Sequence, residues 1–569
     1  MNIPQEVKNI LDKLQAAGFE AYAVGGCVRD LLLGRKPKDW DVATNALPEQ
    51  IQQVFPESFY ENKFGTVSVK AASEKNIKGC HPEEHGDEGS KKDSSLRSRS
   101  AQNDKNSESA SCDIEFVEVT TYRVDEKYTD KRHPDSVRFT PNLLEDLARR
   151  DFTINAMALR LPLTTLGTNA LKQAPEIIDP FDGQKDLEKG LIRAVGEADK
   201  RFNEDALRLL RAVRFTVELS SVEQVSQVGA KSKKIPPHLP LQREEKKTGF
   251  MIEPKTQEAI KKNSASLKAI AKERVRDEFV KIIMSDKPDE GILLLQELGL
   301  LQYIIPELVK GVGVAQNKHH IYSIFEHGIF SLKFAVHPVK LSGTEFNGAR
   351  KKYNLVVRLA ALLHDVAKPQ AKRGEGEEAT FYNHDIMGAR AAARILEQLR
   401  FDNETIERVA NLIRHHMFVY DVGVVTPAAV RRLLARVGPE NIDDLIALRV
   451  ADRLGSGVPK AQPYRLRHFQ YMVDRVQKDP ISVKALKING NDLMEILKTK
   501  PGPKIGAILD VLLAEVIEDP KKNTPEYLSG RSKELDESNL AQLRQMAKAR
   551  IEEEKEEEDK VIKGRYWVQ

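Results

Sequence analysis

The sequence changes its hydrophobic period once, and that change limits the folds open to it. Up to about Asp199 the apolar segments are short and alternate with polar residues, as in GTVSVK and DIEFVEVTTYR, the two-residue period of paired strands. Beyond Asp199 nearly every periodic segment repeats apolar residues at intervals of three and four, among them NEDALRLLRAVRFTVEL, YNLVVRLAALLHDVA, MGARAAARILEQL and ETIERVANLIRHH. The pattern predicts an α/β head followed by a long all-helical body. At 569 residues the chain exceeds what one hydrophobic core supports, so a modular architecture of roughly three or four domains is expected.

Two polar stretches break this order. Residues 71–111 contain almost nothing with which to build a core and read as a disordered insertion grown on a hairpin. A second insertion, about 220–248, carries KSKKIPPHLP and interrupts a helical region. Near the C-terminus RIEEEKEEEDKVIK is charged all round and reads as a solvated or frayed helix. No apolar run is long enough to span a bilayer, and the N-terminal MNIPQEVKNILDKL reads as an amphipathic helix rather than a signal sequence. A soluble cytoplasmic protein is expected, with no membrane partner. Three cysteines, Cys27, Cys80 and Cys112, none in CxxC spacing, argue against a disulfide framework or zinc ribbon. The net charge of +4 means that any nucleic-acid contact must come from local basic surface.

Chemistry concentrates first in VGGCVRDLLLGRKPKDWDVAT, Val24–Thr44. Gly25-Gly26 precede a short apolar helix, where glycines let phosphate oxygens approach backbone N–H groups. Asp39 and Asp41 follow in a strand-like run, where residues i and i+2 share a face. Such carboxylates repel unless a divalent cation lies between them, which makes them candidate ligands for metal-assisted phosphoryl or nucleotidyl transfer. Glu118, in the partner strand EFVEVTTYR, is a possible third carboxylate. An isolated Asp-x-Asp is more often a solvated strand end; the combination is what points to catalysis. Further on, Asp205 and Arg208 stand at i, i+3, a spacing that on one helical face presents acceptors and a donor fork to a base edge. Arg211 and Arg214 continue a helix face toward phosphates, with an ion pair to Glu204 or Asp205 as the alternative.

These blocks, with EVTTYRVDEKYTDKRHPDSVRF, EDLARRDFTINAMAL, IIDPFDGQKDL and RFNEDALRLLRAVRF, resemble in order the motifs of the bacterial-type (class II) tRNA nucleotidyltransferase and poly(A) polymerase family. The resemblance implies an α+β fold, with a small mixed-sheet head of the DNA polymerase β-like superfamily followed by helical neck, body and tail. It also implies Mg²⁺ at Asp39 and Asp41. Arg149, Arg150 and Asp151 would meet ribose and triphosphate, and Glu204, Asp205 and Arg208 the base; Gly25, Gly26, Arg29, Asn155 and Arg211 complete the expected nucleotide site. The charged segment around Lys131-Arg132-His133-Pro134 corresponds to the family's flexible loop. The run NKFGTVSVK, and the lack of an arginine-rich block, favour CCA addition, with tRNA, CTP and ATP as partners. An A-adding, CC-adding or poly(A) enzyme, or an RNA-binding head serving a phosphohydrolase, are the alternatives.

A second constellation lies in helical sequence: His327, His364-Asp365, His384-Asp385, His415-His416 and Asp452. Imidazoles and carboxylates together suit a borderline or hard divalent ion. This order resembles the HD phosphohydrolase domain, which implies His327, His364, Asp365 and Asp452 as ligands of Mg²⁺, Mn²⁺ or Ni²⁺. His384, His415 and His416 are candidates for a second metal or a phosphate. Lys368 would contact substrate phosphate or stand at a solvent-exposed helix end. The expected division is a head at 1–160, a neck and body at 161–312, an HD domain at 313–460 and a helical tail at 461–569. The segments RRLLARVG and YRLRHFQYMVDRVQK offer candidate basic surface for RNA, or are ordinary solvated faces.

Overall fold

Alternating and fully apolar strands assemble one seven-stranded sheet. Its strands are β1 (Ala21–Val24), β2 (Asp41–Thr44), β3 (Ser58–Asn62), β4 (Thr66–Lys70), β5 (Phe116–Thr121), β8 (Ala158–Arg160) and β9 (Glu176–Ile178), in the order β3-β4-β5-β2-β1-β8-β9. Two pairs stand apart: β6 (Arg123–Asp125) and β7 (Val137–Phe139) form a hairpin, and Leu191–Ile192 pairs in parallel with Met251–Ile252. The structure, a computed structural model, describes residues 3–62, 65–70, 116–125, 136–162, 174–220, 249–316, 321–336, 354–418, 420–457, 464–477, 486–518 and 520–546. The two anticipated insertions, the flexible-loop segment at 131–134 and the charged C-terminal run lie outside the described residues.

Only β2 and β5 pair in parallel, in the register Asp41↔Glu118; the other neighbours are antiparallel, so the sheet is mixed. The expected hairpin is present: β4 and β5 pair from Thr66↔Thr120 to Lys70↔Phe116. One face is covered by α1 (Gln5–Ala16), whose Val7, Ile10, Leu11 and Leu14 recur at helical spacing and join Val42, Val67 and Val119 in one core. Each fully buried Val or Leu contributes about 2 kcal/mol there. On the opposite face Tyr22, Val24 and Ala43 pack against Leu143 and Leu147 of the helix Leu143–Ala148. That second face carries Asp41.

Beyond Asp199 the described elements are helices apart from the two-residue strand Met251–Ile252, as the change of period predicts, and the fold is α+β. Contacts divide the described residues into two units, the first drawn from 3–220, 249–279 and 294–303, the second from 280–293 and from those between 304 and 546. In the second unit the helices Ile324–Phe334, Leu355–Leu363, His384–Gln398, Asn403–His415 and Ile442–Gly455 surround the histidine-rich cluster. Ser323 and Glu326 form a capping box on the first of these, and Asn354 and Asp402 cap two others. Gly455 permits close approach of helices: a Cβ there would lie 2.3 Å from Ser331 Oγ. The tail helices Gly490–Leu497, Pro503–Glu518 and Pro525–Asp536 close their own core around Leu493, Ile508, Leu512 and Leu528. No described helix is long and apolar enough to cross a membrane.

Candidate active site

The end of β1 turns at Gly25 into the helix Gly26–Leu32. Gly25 has φ +80°, the left-handed conformation that favours glycine, and the Arg150 guanidinium packs close over it, 2.7 Å from where a Cβ would stand. Asp41 opens β2, but Asp39 lies in the bend before it rather than in the strand. The shared-face argument for the pair is therefore corrected: a bend, not strand pleat, brings Asp39 alongside. The two still line one cavity. Burial raises the Asp41 carboxyl; Arg150 works against that rise and the like charge of Asp39 adds to it. A carboxylate pair whose second charge is resisted in this way fits a divalent cation. Glu118 shares the face of Asp41 through the parallel register, yet it is exposed and does not line the cavity.

The cavity holds about 500 Å³ and is walled by Asp39, Asp41, Gly25, Gly26 and a ring of arginines. A chain of hydrogen bonds forms one wall. Arg29 Nη1 donates to Asn155 Oδ1 (2.7 Å), Asn155 Nδ2 to Asp151 Oδ1 (3.1 Å), and Arg211 Nε to Asp151 Oδ2 (2.7 Å). Burial alone would push the Asp151 carboxyl up, but the Arg211 charge holds it down at about 2. Arg149 and Arg150 both pair with the buried Asp146, at 2.8 and 3.4 Å. Phe215 supports three cations: the guanidinium groups of Arg29, Arg211 and Arg214 stand 5.2, 5.3 and 4.3 Å from its ring centroid.

Asp205 and Arg208 both reach this cavity, but not from one helical face. Asp205 is an extended residue (φ −136°, ψ 106°) at the break between the helices Ala198–Glu204 and Leu207–Leu219. Its Oδ1 accepts from Leu207 N at 3.0 Å. Arg274 pairs with Asp205 at 2.9 Å, while Arg208 Nη1 donates to Glu204 Oε2 at 2.6 Å and Nη2 to the Arg149 carbonyl at 3.0 Å. The alternative ion pairs expected of Arg211 and Arg214 are corrected too: Arg211 takes Asp151, and Arg214 takes Glu278 at 2.9 Å and Glu218 at 3.4 Å.

In the second unit four imidazoles converge. His327 Nε2 and His364 Nε2 lie 3.0 Å apart. Asp365 Oδ2 lies 3.4 and 3.3 Å from these two nitrogens, and Asp452 Oδ1 3.2 and 3.7 Å. The other Asp365 oxygen, Oδ1, faces His384 Nε2 at 3.5 Å and His416 Nε2 at 3.9 Å. Backbone carbonyls at Ala361, Phe381 and Ile413 accept from Nδ1 of His364, His384 and His416, at 2.9, 2.7 and 2.6 Å. A carbonyl can only accept, so each Nδ1 carries a proton and each Nε2 is left to face the cluster. The buried Nε2 atoms of His384 and His416 make no hydrogen bond. This is the chemistry of a metal donor set oriented by its second contacts. Burial pushes His416 down to about 4, with the His364 charge adding to the effect. Burial would raise Asp365, but His364 and Lys368 hold it well below the carboxylate range.

Lys368 is not at an exposed helix end. It is buried, 2.7 Å from Asp365 Oδ2, and donates to Gln316 Oε1 at 2.7 Å. His415 is not in the cluster either: it lines a neighbouring cavity with Asp385. Successive helical residues point about 100° apart, so His416 facing the cluster turns His415 away.

Three family models match: the poly A polymerase head domain at residues 21–106 and 81–193, the "Probable RNA and SrmB- binding site of polymerase A" at 249–311, and tRNA nucleotidyltransferase domain 2 at 379–530. An A-adding tRNA nucleotidyltransferase from Deinococcus radiodurans is 32% identical over 66% of this chain and 76% of its own length. The chain belongs to the tRNA nucleotidyltransferase and poly(A) polymerase family. It is an enzyme of the nucleotidyltransferase kind. The CCA-adding enzyme of Ligilactobacillus salivarius is 29% identical over 95% of this chain and 99% of its own. The solved Bacillus stearothermophilus CCA-adding enzyme in complex with CTP aligns over 94% of this chain and 98% of that one, at 24% identity and a TM-score of 0.51, a likeness of fold.

Of the residues singled out from sequence, Gly25, Gly26, Arg29, Asp39, Asp41, Arg149, Arg150, Asp151, Asn155, Asp205, Arg208 and Arg211 line the one cavity, with Glu204 behind Arg208. His327, His364, Asp365, His384, His416 and Asp452 meet in the other site. Arg274 and Gln316 were missed. Neither carries a local signal, since Arg274 sits in an ordinary helical RVRDEF run far from Asp205 in sequence.

Proposed function

We propose that this protein adds C, C and A without a template to the 3′ end of tRNA, using CTP and ATP and releasing pyrophosphate. The carrying observation is the cavity that joins Asp39 and Asp41 to the arginine wall and to Asp205 and Arg208. The A-adding and CCA-adding relatives support it. Asp39 and Asp41 would hold Mg²⁺. A divalent cation there acidifies the tRNA 3′-hydroxyl and offsets charge on the triphosphate. Arg149 and Arg150 face that triphosphate, and the Arg29–Asn155–Asp151–Arg211 chain keeps the wall rigid. Asp205 accepts from the exocyclic amine of cytosine or adenine, and Arg208 donates to the neighbouring ring nitrogen or carbonyl. Uracil and guanine present the wrong edge. Because Arg274 holds Asp205 and Glu204 holds Arg208, base recognition shares or exchanges these pairs.

In this reading the head at 1–160 performs the chemistry and the stretch 161–312 supplies the base edge. RNA contact rests on phosphates and on the shape of the acceptor arm. The test is incorporation of labelled AMP into a tRNA transcript ending in CC: Asp39→Ala should abolish it, and retained incorporation would move the protein's chemistry away from the head. The Deinococcus radiodurans relative favours one second reading, an A-adding specialist, which sequencing of the added nucleotides separates.

The histidine cluster supports a second activity, hydrolysis of 2′,3′-cyclic phosphate or 2′-phosphate ends. His327, His364, Asp365 and Asp452 would hold one divalent ion, Mg²⁺, Mn²⁺ or Ni²⁺. The outer Asp365 oxygen with His384 and His416 would hold a second ion or a phosphate. A divalent ion there supplies an acidified water as nucleophile. Lys368 orients and charge-balances Asp365. Attack on phosphorus breaks the bond to the 2′ or 3′ oxygen, which leaves as the hydroxyl. Purified protein with each of the three metals should turn over 2′,3′-cyclic AMP; no turnover with any of them contradicts this activity.

A further inference from the structure

Beside the histidine cluster lie two smaller cavities that the proposed hydrolysis of a lone phosphoester does not need. The cluster opens into a cavity of about 630 Å³ that includes Asp385, Met417, Arg449 and Arg453 in its walls. Asp385 and Met417 also line a cavity of about 330 Å³, and Met417, Arg449 and Arg453 line one of about 240 Å³. Phe418, Tyr420 and Phe469 form the partition that both smaller cavities share. Their rings are locked together: Phe418 and Phe469 centroids are 4.7 Å apart, and Tyr420 meets Phe469 edge-on at 5.2 Å. The Arg449 guanidinium lies 6.0 Å from the Phe418 ring.

The charge around this partition is positive. The larger of the two cavities carries Arg414 and Arg436, both exposed, and neither is ion-paired to a described residue. Arg453, on the other side, is half-buried and makes no ion pair among the described residues, while Arg449 is paired only with Asp452. Rigid aromatic rings between unpaired guanidinium groups are the elements with which proteins hold single-stranded nucleic acid, bases stacking on the rings and phosphates meeting the cations. A site for a small phosphoester alone has no use for a second nucleotide-sized, basic, aromatic-walled cavity next door.

We propose that these cavities are a nucleotide-binding extension of the histidine site, holding the nucleotide before the terminal one of a single-stranded RNA 3′ end. The terminal phosphate lies at the histidines, and the preceding base and phosphate engage Phe418 and the Arg414–Arg436 pair. The inference rests on the phosphohydrolase reading of the cluster. It makes an RNA end, rather than a free nucleotide, the preferred substrate class.

The test compares, with the full-length protein, Mn²⁺ or Ni²⁺ and no nucleoside triphosphate, the kcat/KM for 2′,3′-cyclic AMP and for a short oligoribonucleotide ending in adenosine 2′,3′-cyclic phosphate. The expected ratio favours the RNA by at least about tenfold, an amount that one base–aromatic stack supplies. In the double variant Arg414→Glu, Arg436→Glu the ratio should fall about tenfold, and Phe418→Leu, which keeps apolar volume but removes the ring, should lower it several-fold. The mononucleotide rate serves as the folding control for each variant. Equal use of both substrates by the native protein, or a ratio that neither variant moves, overturns the extension while leaving the hydrolase intact. Hydrolysis of neither substrate overturns the hydrolase reading and the extension with it.

Discussion

At the scale of single residues, the head cavity sets two carboxylates against a ring of arginines. Asp41 is half-buried beside exposed Asp39, and burial has raised its carboxyl. Asp41→Asn keeps the shape and removes a charge, so nucleotide incorporation should fall by at least about a thousandfold, roughly 4 kcal/mol of transition-state stabilisation; a single-turnover incorporation assay reads this directly. Asp151 makes a different prediction. Its carboxyl sits at about 2 in the folded chain, against about 3.9 in an unfolded one. The ionised pair therefore favours folding fully above pH ~4, and the gain is lost as pH falls through the folded value. Arg211→Met should cost about 2 kcal/mol at pH 6, and urea unfolding should show that deficit narrowing at pH 3; a deficit independent of pH would dissociate Arg211 from the Asp151 carboxylate.

Element by element, the cluster is built by helices whose positions are set by buried polar contacts as much as by apolar packing. Arg358, fully buried on Leu355–Leu363, donates to the carbonyls of Ile283, Ser285 and Val336 at 2.7, 2.8 and 3.1 Å. These include the end of the helix Lys272–Met284, whose last carbonyls have no partner within the helix. Arg358→Met should lower stability by about 3 kcal/mol, because it leaves buried carbonyls unsatisfied, and chemical denaturation should register it as a lower midpoint. The same helix leads directly into His364 and Asp365, so the variant should also weaken metal-dependent hydrolysis.

The elements also explain how much could be seen in the sequence alone. The period change announced the sheet and the helices because each side chain's burial depends on its own neighbours in sequence. Asp39-x-Asp41 was visible for the same reason, although the bend at Asp39 was not. Asp205 and Arg208 stand at a helical spacing, but Asp205 occupies the break between two helices and accepts from Leu207 N, a helix-start role that Asp favours and that spacing alone does not reveal. Lys368 reads as a helix end because one of its two partners, Gln316, lies 52 residues away in sequence, and burial beside Asp365 is set by helices that pack around it. His415 and His416 were equivalent as letters; the helix phase chose between them.

On the scale of the whole molecule, the residues of the two proposed activities occupy two units of one chain. Each set is complete within its own unit, so their chemistry should separate. Asp41→Asn should abolish nucleotide addition and leave hydrolysis of 2′,3′-cyclic AMP in place, whereas His364→Ala should do the reverse. Loss of both activities in either variant would mean that the sites depend on each other. Untemplated completion of a tRNA end is read by offering the protein Mg²⁺ and a tRNA transcript ending at the discriminator base, with CTP, ATP, both together, UTP or GTP, and sequencing the products. The expected products are CC from CTP alone, a tail that stops at CCA when both are present, and nothing from UTP or GTP. A single A, CC alone or a long A tail when both are offered would contradict full CCA addition and make the head a specialist, and no incorporation at all would contradict the assignment of its chemistry.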